Sequence, residues 1–228
     1  MIETVVFDLD GTLRDWEAGT SRALVELQPE VPEQYRAGLA GRLAEVTERR
    51  LVVRRDGRVV ERRHYWYAVD PLPLWRDALP DAEPAVVEAL ANRFAELLDA
   101  VPFADVYPTL ERLREGYALG VLSNGPSPEA ALTRMGFTHY FDAIISVHGR
   151  EEKPSPRAFL EVLEELGASA EVAVYVGDSI TLDVEGALGA GLMAVWLDRY
   201  GDAQPPPAGA HRIASLEELP ELLLELAD

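Results

Sequence analysis

Charged and hydroxyl side chains stand at or just after the ends of several short apolar runs in this sequence. The set consists of Asp8, Asp10, Thr12, Ser123, Lys153, Asp178 and Asp183, with Asn124 directly after Ser123. Clustered carboxylates repel one another unless a cation lies among them, and their oxygens suit a hard divalent ion, magnesium above all. Hydroxyl groups can bond phosphoryl oxygens, and a lysine supplies the positive charge that a transferring phosphoryl group needs. These residue types therefore predict magnesium-assisted phosphoryl chemistry.

The spacing of Asp8 and Asp10 predicts separate roles for the two carboxylates. Two residues that are two positions apart on an extended segment share one side of it. Both carboxylates can then face one reacting centre, where one attacks and the other handles a proton. Taken alone, Asp10-Gly11 is also consistent with an ordinary turn after a strand, because both residue types favour turns.

Lys153 is the only lysine among 21 cationic residues, the other 20 being arginine. A lysine ammonium is compact, whereas an arginine guanidinium is a planar fork that needs more room. We interpret this exception as a sign that Lys153 occupies a tight site.

Apolar runs that alternate with helical patterns are expected to position these residues. The runs are Thr4–Leu9, Ala118–Leu122, Ala143–Val147, Val172–Val176 and Met193–Leu197, and the helical patterns cover Thr109–Glu115, Pro128–Met135, Pro156–Leu166, Val184–Ala190 and the closing segment Ser215–Ala227. This alternation predicts βαβ units and a doubly wound parallel sheet of the α/β class. Ligands bind at the carboxyl ends of such strands, which is where the singled-out residues stand.

The alternation is interrupted between about Leu13 and Ala104, where three-four apolar spacing predicts helices at Glu17–Leu27, Pro32–Arg50 and Glu83–Leu98. We therefore expect a second, mainly α-helical domain inserted after the first strand. Within it, residues 51–60 have the pattern of a hairpin with Asp56-Gly57 at the turn, with a helix–turn–helix as the alternative.

Seven of the 20 arginines fall within 15 residues of this predicted domain. They are Arg49, Arg50, Arg54, Arg55, Arg58, Arg62 and Arg63. One interpretation is a solvated face balanced by neighbouring acidic residues. The other is a surface that attracts a second anionic group on the substrate.

The composition limits the classes of partner. The chain has 228 residues and a formal net charge of −19, which disfavours binding to nucleic acid because the phosphate backbone is also negative. It has no cysteine, so a disulfide scaffold, a thiolate metal site and a cysteine nucleophile are excluded. No apolar run has the length of a membrane span, and the first residues show no export signal. We expect a cytoplasmic monomer or homodimer.

The ordered motifs Asp8-Leu9-Asp10-Gly11-Thr12, Ser123-Asn124, Lys153-Pro154 and Gly177-Asp178 with Asp183 resemble the four motifs of the haloacid dehalogenase (HAD) superfamily. The resemblance implies that Asp8 is a nucleophile that forms an aspartyl-phosphate. It implies that Asp10 is the general acid and base and lends its backbone carbonyl to magnesium. Asp8 and Asp178 would also be metal ligands, and Asp183 would bind the metal less directly or orient Lys153. Thr12, Ser123, Asn124 and Lys153 would bind the substrate, with Ser123 and Lys153 on the phosphoryl group.

The same resemblance implies a Rossmann-like core of residues 1–13 and 105–228, with residues 14–104 as a helical cap. It implies a magnesium-dependent phosphatase of a small phosphorylated metabolite. A sugar phosphomutase uses the same motifs and stays an alternative. A 2-haloacid dehalogenase is disfavoured because the dehalogenases lack the second aspartate that Asp10 supplies, and a non-catalytic binding protein is disfavoured by the complete motif set.

Overall fold

The computed structural model describes residues 1–62, 71–98, 100–201 and 205–226. Its strands are β1 Thr4–Phe7, β2 Val52–Arg55, β3 Arg58–Arg62, β4 Ala118–Ser123, β5 Ala143–Ser146, β6 Ala173–Gly177, β7 Met193–Leu197 and β8 Ala210–Ile213. Its α-helices are α1 Trp16–Leu27, α2 Glu33–Arg36, α3 Leu39–Leu51, α4 Leu72–Ala78, α5 Pro84–Leu97, α6 Val106–Leu113, α7 Pro128–Met135, α8 Pro156–Leu166, α9 Glu185–Gly189 and α10 Leu219–Glu225.

Six strands form one parallel sheet in the order β5-β4-β1-β6-β7-β8. The side chains of each strand alternate between two hydrophobic clusters, one on each face. On β1, for example, Val5 and Phe7 belong to one cluster and Val6 to the other. Helices α6, α7 and α10 cover the first face, and α8 and α9 cover the second. The predicted doubly wound parallel sheet is therefore confirmed.

The central position of β1 determines where its chemistry-bearing residues lie. Thr4–Phe7 pairs with β4 on one side and with β6 on the other. Asp8 and Asp10 therefore leave the middle of the sheet at its carboxyl edge, flanked by the ends of the strands that carry Ser123 and Asp178. All four residues of β1 are buried, which explains why this strand is a continuous apolar run rather than an alternating one.

A third hydrophobic cluster lies wholly within the sequence between Trp16 and Phe94. Trp75 is fully buried in this cluster, and the ring of Phe94 meets it edge-on at 5.8 Å between centroids. Residues 14–104, called the insert below, thus contain a core of their own. Ala100, near the end of the insert, packs into the cluster beneath the sheet instead. The exact boundaries at residues 13/14 and 104/105 stay a prediction.

The hairpin is confirmed. Strands β2 and β3 pair antiparallel, and Asp56 and Gly57 at the turn have φ angles of 51° and 79°. Both positions therefore need the left-handed region, which Asp-Gly turns supply.

Some predicted element boundaries were wrong. The predicted helix Pro32–Arg50 is two helices, α2 and α3, because Gly38 takes a φ of 69° that interrupts the helical backbone. Helix α6 begins three residues earlier than predicted, since Pro108 is tolerated in its first turn. Helix α4 and strand β8 were not predicted. The segment Ile180–Val184 is a π-helical turn that precedes α9.

The last helical segment begins at Ser215, as predicted. Ser215 accepts a hydrogen bond from the N–H of Glu217, and the Glu218 carboxylate accepts from the N–H of Ser215, which completes a capping box. A short 3₁₀ turn, Leu216–Glu218, leads into α10. Among the residues described, no helix combines the length and apolar character that crossing a bilayer requires.

Candidate active site

The residues singled out at the strand ends meet in one small pocket, called the aspartate pocket. Its walls are Asp8, Asp10, Ser123, Asn124, Gly125, Lys153, Asp178, Ser179, Leu182 and Asp183. Of the eight predicted site residues, only Thr12 does not line it. The loops after four different strands supply these walls, so the parallel sheet itself brings together residues that are up to 175 positions apart in sequence, from Asp8 to Asp183.

Lys153 is the centre of the pocket's hydrogen bonding. Its ammonium group donates to Asp8 Oδ1 at 2.6 Å, to Asp183 Oδ1 at 2.7 Å and to the Tyr175 hydroxyl at 2.9 Å. The Lys153 side chain is only 2% exposed. Three acceptors at these distances use all three ammonium protons, which agrees with the interpretation of Lys153 as a compact cation in a tight site.

Asp183 is fixed from two sides. One carboxylate oxygen accepts from Lys153, and the other accepts from the Ser179 N–H at 2.9 Å. This close approach depends on Gly177, because a β-carbon there would lie 2.4 Å from Asp183 Cγ. The structure therefore favours the role in which Asp183 orients Lys153, and it explains a glycine at the end of β6.

Burial and neighbouring charges shift the ionisation of this pocket. Burial raises the pKa of Asp8 well above its usual value, the carboxylates of Asp183 and Asp178 add to the shift, and Lys153 opposes it. Burial by itself would lower the pKa of Lys153, but Asp183 and Asp8 outweigh it and hold that pKa well above its usual value. Burial and the neighbouring carboxylates together outweigh Lys153, so the protein groups alone disfavour the charged form of Asp8.

Three carboxylates form a group suited to a metal ion. Asp8, Asp178 and Asp183 each offer one oxygen, and these oxygens lie within 4.8 Å of one another. A hard, all-oxygen donor set of this kind fits Mg²⁺. The carboxylate of Asp10 is not a member of the group, so the expectation for Asp10 rests on its backbone carbonyl.

The Asp10 carboxylate instead forms an ion pair with Arg14. The Arg14 Nε donates to Asp10 Oδ1 at 2.6 Å, and Nη2 contacts the same oxygen. The Arg14 guanidinium also stacks on the ring of Trp16, 4.1 Å from its centroid. Asp10 Oδ2 faces Gly125, where a β-carbon would lie only 3.4 Å away. Arg14 therefore fixes one carboxylate oxygen and leaves the other directed at the pocket wall.

Ser123 and Asn124 have different positions in the pocket. The Ser123 hydroxyl accepts from the Gly125 N–H at 2.9 Å. The Asn124 side-chain amide donates to the Lys153 carbonyl at 3.1 Å and accepts from the Lys153 N–H at 2.9 Å. Both ends of the Asn124 amide are thus occupied by the backbone of Lys153. Contrary to the expectation of substrate binding, its geometry is that of a residue that positions Lys153.

The Thr12 hydroxyl does not reach the pocket. Thr12 is fully buried, and its hydroxyl has no hydrogen-bond partner in the part of the chain that the structure describes. Its carbonyl accepts from Arg199 at 2.8 Å, and Arg199 in turn forms a two-bond ion pair with Asp105. The predicted contact between the Thr12 side chain and substrate is therefore not supported. The residue belongs to a buried network behind the loop.

Sequence reasoning missed Tyr175 and Arg14. Tyr175 lies in the apolar strand β6, where nothing distinguished it from core packing. Its hydroxyl accepts from Lys153 and donates to the Leu122 carbonyl at 3.2 Å. Arg14 comes two residues after the first motif, but the sequence does not show that its side chain pairs with the carboxylate of Asp10.

No arginine that the structure describes in the arginine-rich segment lines the aspartate pocket. Arg49 pairs with Asp77 inside the insert, and Arg55 pairs with Glu185 of the core, each at 3.2 Å. Both arginine side chains are more than half exposed, and Arg54 is exposed as well. Arg63 lies outside the described residues. The described pairs agree with a solvated, charge-balanced face, although the Arg55 contact does join the hairpin to the core two residues after Asp183.

The chain is similar to known hydrolases over most of its length. Residues 2–191 match the family described as haloacid dehalogenase-like hydrolase. Among curated proteins, glyceraldehyde 3-phosphate phosphatase of Methanopyrus kandleri is 34% identical over 223 residues, which is 90% of this chain and 88% of that protein.

Two solved structures extend the similarity to nearly the full chain. A HAD phosphatase from Thermococcus onnurineus is 30% identical with a TM-score of 0.63, covering 97% of this chain and 98% of that one. YfnB of Bacillus subtilis, crystallised with bound magnesium, is 25% identical with a TM-score of 0.68 and the same coverage of both chains. Similarity over this length includes the insert as well as the sheet.

Proposed function

The chain belongs to the haloacid dehalogenase-like hydrolases, and from this membership we propose that it is a magnesium-dependent phosphatase of a small phosphorylated metabolite. The relative from M. kandleri and the solved neighbour from T. onnurineus are both phosphatases by name. The observation that carries the proposal is the buried ion-paired triad of Asp8, Lys153 and Asp183 at the edge of the sheet.

Asp8 acts as the nucleophile. Lys153 binds Oδ1 of its carboxylate, and a carboxylate oxygen of Asp8 attacks phosphorus. A bond forms between this oxygen and phosphorus, and the bond from phosphorus to the substrate oxygen breaks. Asp10 donates its proton to the departing alkoxide, so an alcohol leaves and an aspartyl-phosphate remains.

Asp10 then acts as the base in the second step. It removes a proton from a water molecule that attacks phosphorus, and the bond between phosphorus and Asp8 breaks. Inorganic phosphate leaves, Asp8 is again a carboxylate and Asp10 is again protonated. Arg14, which binds only Oδ1 of Asp10, leaves Oδ2 for this proton transfer.

Asp8, Asp178 and Asp183 would hold the magnesium ion, together with the backbone carbonyl of Asp10. Their oxygens lie within 4.8 Å of one another, and four carboxylates face a single lysine in the pocket. The ion would supply positive charge that lets an anionic phosphoryl group approach the Asp8 carboxylate. Lys153 contributes the remaining positive charge, while Asn124 and Asp183 fix its position.

The insert serves as a cap that covers the bound substrate and excludes water. Support comes from its separate hydrophobic core and from the contact of Arg55 with Glu185, which lies beside the metal-binding segment. Covering the site would exclude bulk water, which strengthens the electrostatic interactions inside it, and would let insert residues contact the leaving group. A cytoplasmic location and a monomeric or homodimeric state stay predictions.

A screen of phosphate release tests the function. The purified chain would be incubated with phosphorylated sugars, acids and nucleotides in magnesium and, in parallel, in excess chelator. We expect release from some members of the screen in magnesium and none in chelator. Full activity in chelator would contradict the metal proposal, and absence of release from every compound would contradict the phosphatase proposal.

A further inference from the structure

A second cavity adjoins the aspartate pocket and shares a wall with it. Asp10, Ser123 and Gly125 line both spaces. The second space, called the arginine cavity, has a volume of about 270 Å³ and is additionally lined by Arg14 and Arg134. A substrate whose phosphoryl group lies against Asp8 would extend its leaving group across this shared wall. The chemistry of the arginine cavity therefore bears on what the leaving group is.

The two adjoining spaces carry opposite charge. Four aspartates and one lysine line the aspartate pocket, a formal balance of −3. Two arginines and one aspartate line the arginine cavity, a formal balance of +1. The whole chain has a net charge of −19, so a cavity with a formal positive balance beside the aspartate pocket is an exception, and its arginines can attract an anion locally.

The guanidinium of Arg14 is fixed in place by two neighbouring side chains. Its Nε and Nη2 bind Asp10, its face stacks on Trp16, and its side chain is only 11% exposed. Its Nη1 makes no hydrogen bond with any residue that the structure describes. The guanidinium therefore has a fixed orientation and one free edge, so little conformational entropy is lost when an anion binds there.

Arg134 supplies the uncompensated charge. It lies in the last turn of α7, is exposed, and pairs with no carboxylate among the described residues. Other exposed arginines of the core differ in this respect, since Arg112 binds Glu221 and Arg150 binds Glu161. Within the described core, then, an arginine with a free guanidinium lies at a cavity that shares a wall with the aspartate pocket.

We propose that the arginine cavity binds a second anionic group on the leaving-group side of the substrate, with Arg134 as the specificity-determining residue and Arg14 as its fixed partner. The substrate class is thus a phosphate ester that also carries a carboxylate or a second phosphate. This inference rests on the proposed function, because the leaving group is located relative to Asp8. It assigns the second anion to this cavity and not to the arginines of the hairpin.

Binding of stable phosphonates tests the inference without turnover. Calorimetry in magnesium would compare propylphosphonate with 3-phosphonopropionate, which has a carboxylate on a tail of similar length, and with propane-1,3-bisphosphonate. We expect the wild-type chain to bind at least one of the two doubly anionic compounds tenfold or more tightly than propylphosphonate. Whichever of them binds more tightly identifies the second group as a carboxylate or a phosphate.

Arg134→Ala should remove this preference, while Arg134→Lys should retain part of it because the charge remains. Arg157→Ala is a matched control, since Arg157 is also an exposed arginine in a core helix but does not line the arginine cavity. It should keep the full preference. Thermal unfolding would confirm that all variants are folded.

Equal affinities for the three phosphonates in the wild-type chain would overturn the inference, as would a preference that survives in Arg134→Ala. These outcomes are separable from a failure of the proposed function. If the preference depends on Arg134 but no phosphate ester is hydrolysed, the subsite stands and the phosphatase proposal fails. If esters are hydrolysed with no preference for a second anion, the phosphatase proposal stands and the subsite fails.

Discussion

Cations at the edge of the sheet and cations on the insert are held in different ways. Lys153 is 2% exposed and has three hydrogen-bond acceptors, two of which are carboxylates. Arg49 and Arg55 on the insert are 62% and 57% exposed, and each forms one ion pair at 3.2 Å. At the edge of the sheet, burial keeps water away from the charges, so their mutual interactions are strong and their positions are fixed.

On the insert, solvent and salt screen the charges, and measured exposed pairs of this kind contribute little to stability. We therefore expect the chemistry to depend on individual residues at the edge of the sheet. Replacing a charged residue on the surface of the insert should have only a small effect on stability. The following variants test this difference, from the largest expected effect to the smallest.

Asp8→Asn should abolish phosphate release, because an amide is a poor nucleophile toward phosphorus. Phosphate release from any substrate found in the screen measures the effect. Near-normal turnover in a preparation free of deamidation and contaminating phosphatase would remove Asp8 from this role.

Asp10→Asn should lower the rate by roughly 10²–10⁴-fold, the usual contribution of a general acid and base. The loss should be smaller for aryl phosphates than for alkyl phosphates, because an aryl oxide leaves without needing a proton. Comparing kcat for the two substrate types measures this difference. The same loss on both would contradict the role of Asp10 as general acid.

Asp105→Asn should lower the free energy of unfolding at neutral pH by about 3 kcal/mol, because it leaves Arg199 without its buried counter-charge. Asp105 accepts two bonds from Arg199 and one each from Ser215 and the Leu216 N–H. Burial opposes ionisation of Asp105, but Arg199 outweighs it and lowers the pKa of the carboxyl group.

The pH dependence of this effect has a definite sign. A lowered folded-state pKa contributes stability above the unfolded value, about 3.9 for Asp, and that contribution is lost as pH falls through the folded-state pKa. The difference between wild type and Asp105→Asn should therefore shrink below about pH 4. Urea unfolding at several pH values measures it, and a constant difference down to pH 2 would contradict the ionic role.

Lys153→Arg should lower kcat/KM at least tenfold, about 1.4 kcal/mol, although it keeps the charge. A planar guanidinium cannot place three donors where the single nitrogen of Lys153 meets Asp8, Asp183 and Tyr175. The reverse exchange at an exposed position, Arg157→Lys, serves as a control and should change little. A variant that keeps more than about half of the wild-type kcat/KM would contradict the argument for a lysine-specific site.

Arg49→Ala should change the free energy of unfolding by less than about 1 kcal/mol, the upper range for an exposed ion pair. Arg49 binds Asp77 between two helices of the insert. High salt should reduce the effect further. A loss as large as that of Asp105→Asn would show that the comparison between the two regions is wrong.

Much of the fold and site could be predicted because local signals and topology agree. Short apolar runs bounded by aspartate or serine identified β1, β4 and β6, and the rule that ligands bind at the carboxyl edge brought their terminal residues together. The hairpin could be predicted because Asp56-Gly57 satisfies a turn with two positive φ angles.

Other features depend on tertiary contacts that leave no local pattern. Tyr175 looks like any buried residue of β6 until its hydroxyl is seen beside Lys153. Asn124 was expected to bind substrate because Ser123-Asn124 resembles a family motif, but the neighbouring backbone of Lys153 uses both ends of its amide. Strand β8 was missed because Ala210–Ile213 includes a histidine and an arginine, and an edge strand tolerates such polar residues.

The position of β1 in the middle of the sheet has a consequence for synthesis of the chain on the ribosome. Its neighbours β4 and β6 begin at Ala118 and Ala173, more than 100 residues later. At translation rates of roughly 5–20 residues per second, the apolar segment Thr4–Phe7 waits on the order of 6–20 s for its first partner strand. During that interval the intervening insert emerges with the residues of its own hydrophobic core. The nascent chain can thus bury the core of the insert while β1 still has no partner strand. Until β4 is made, the apolar segment of β1 stays exposed and prone to aggregation.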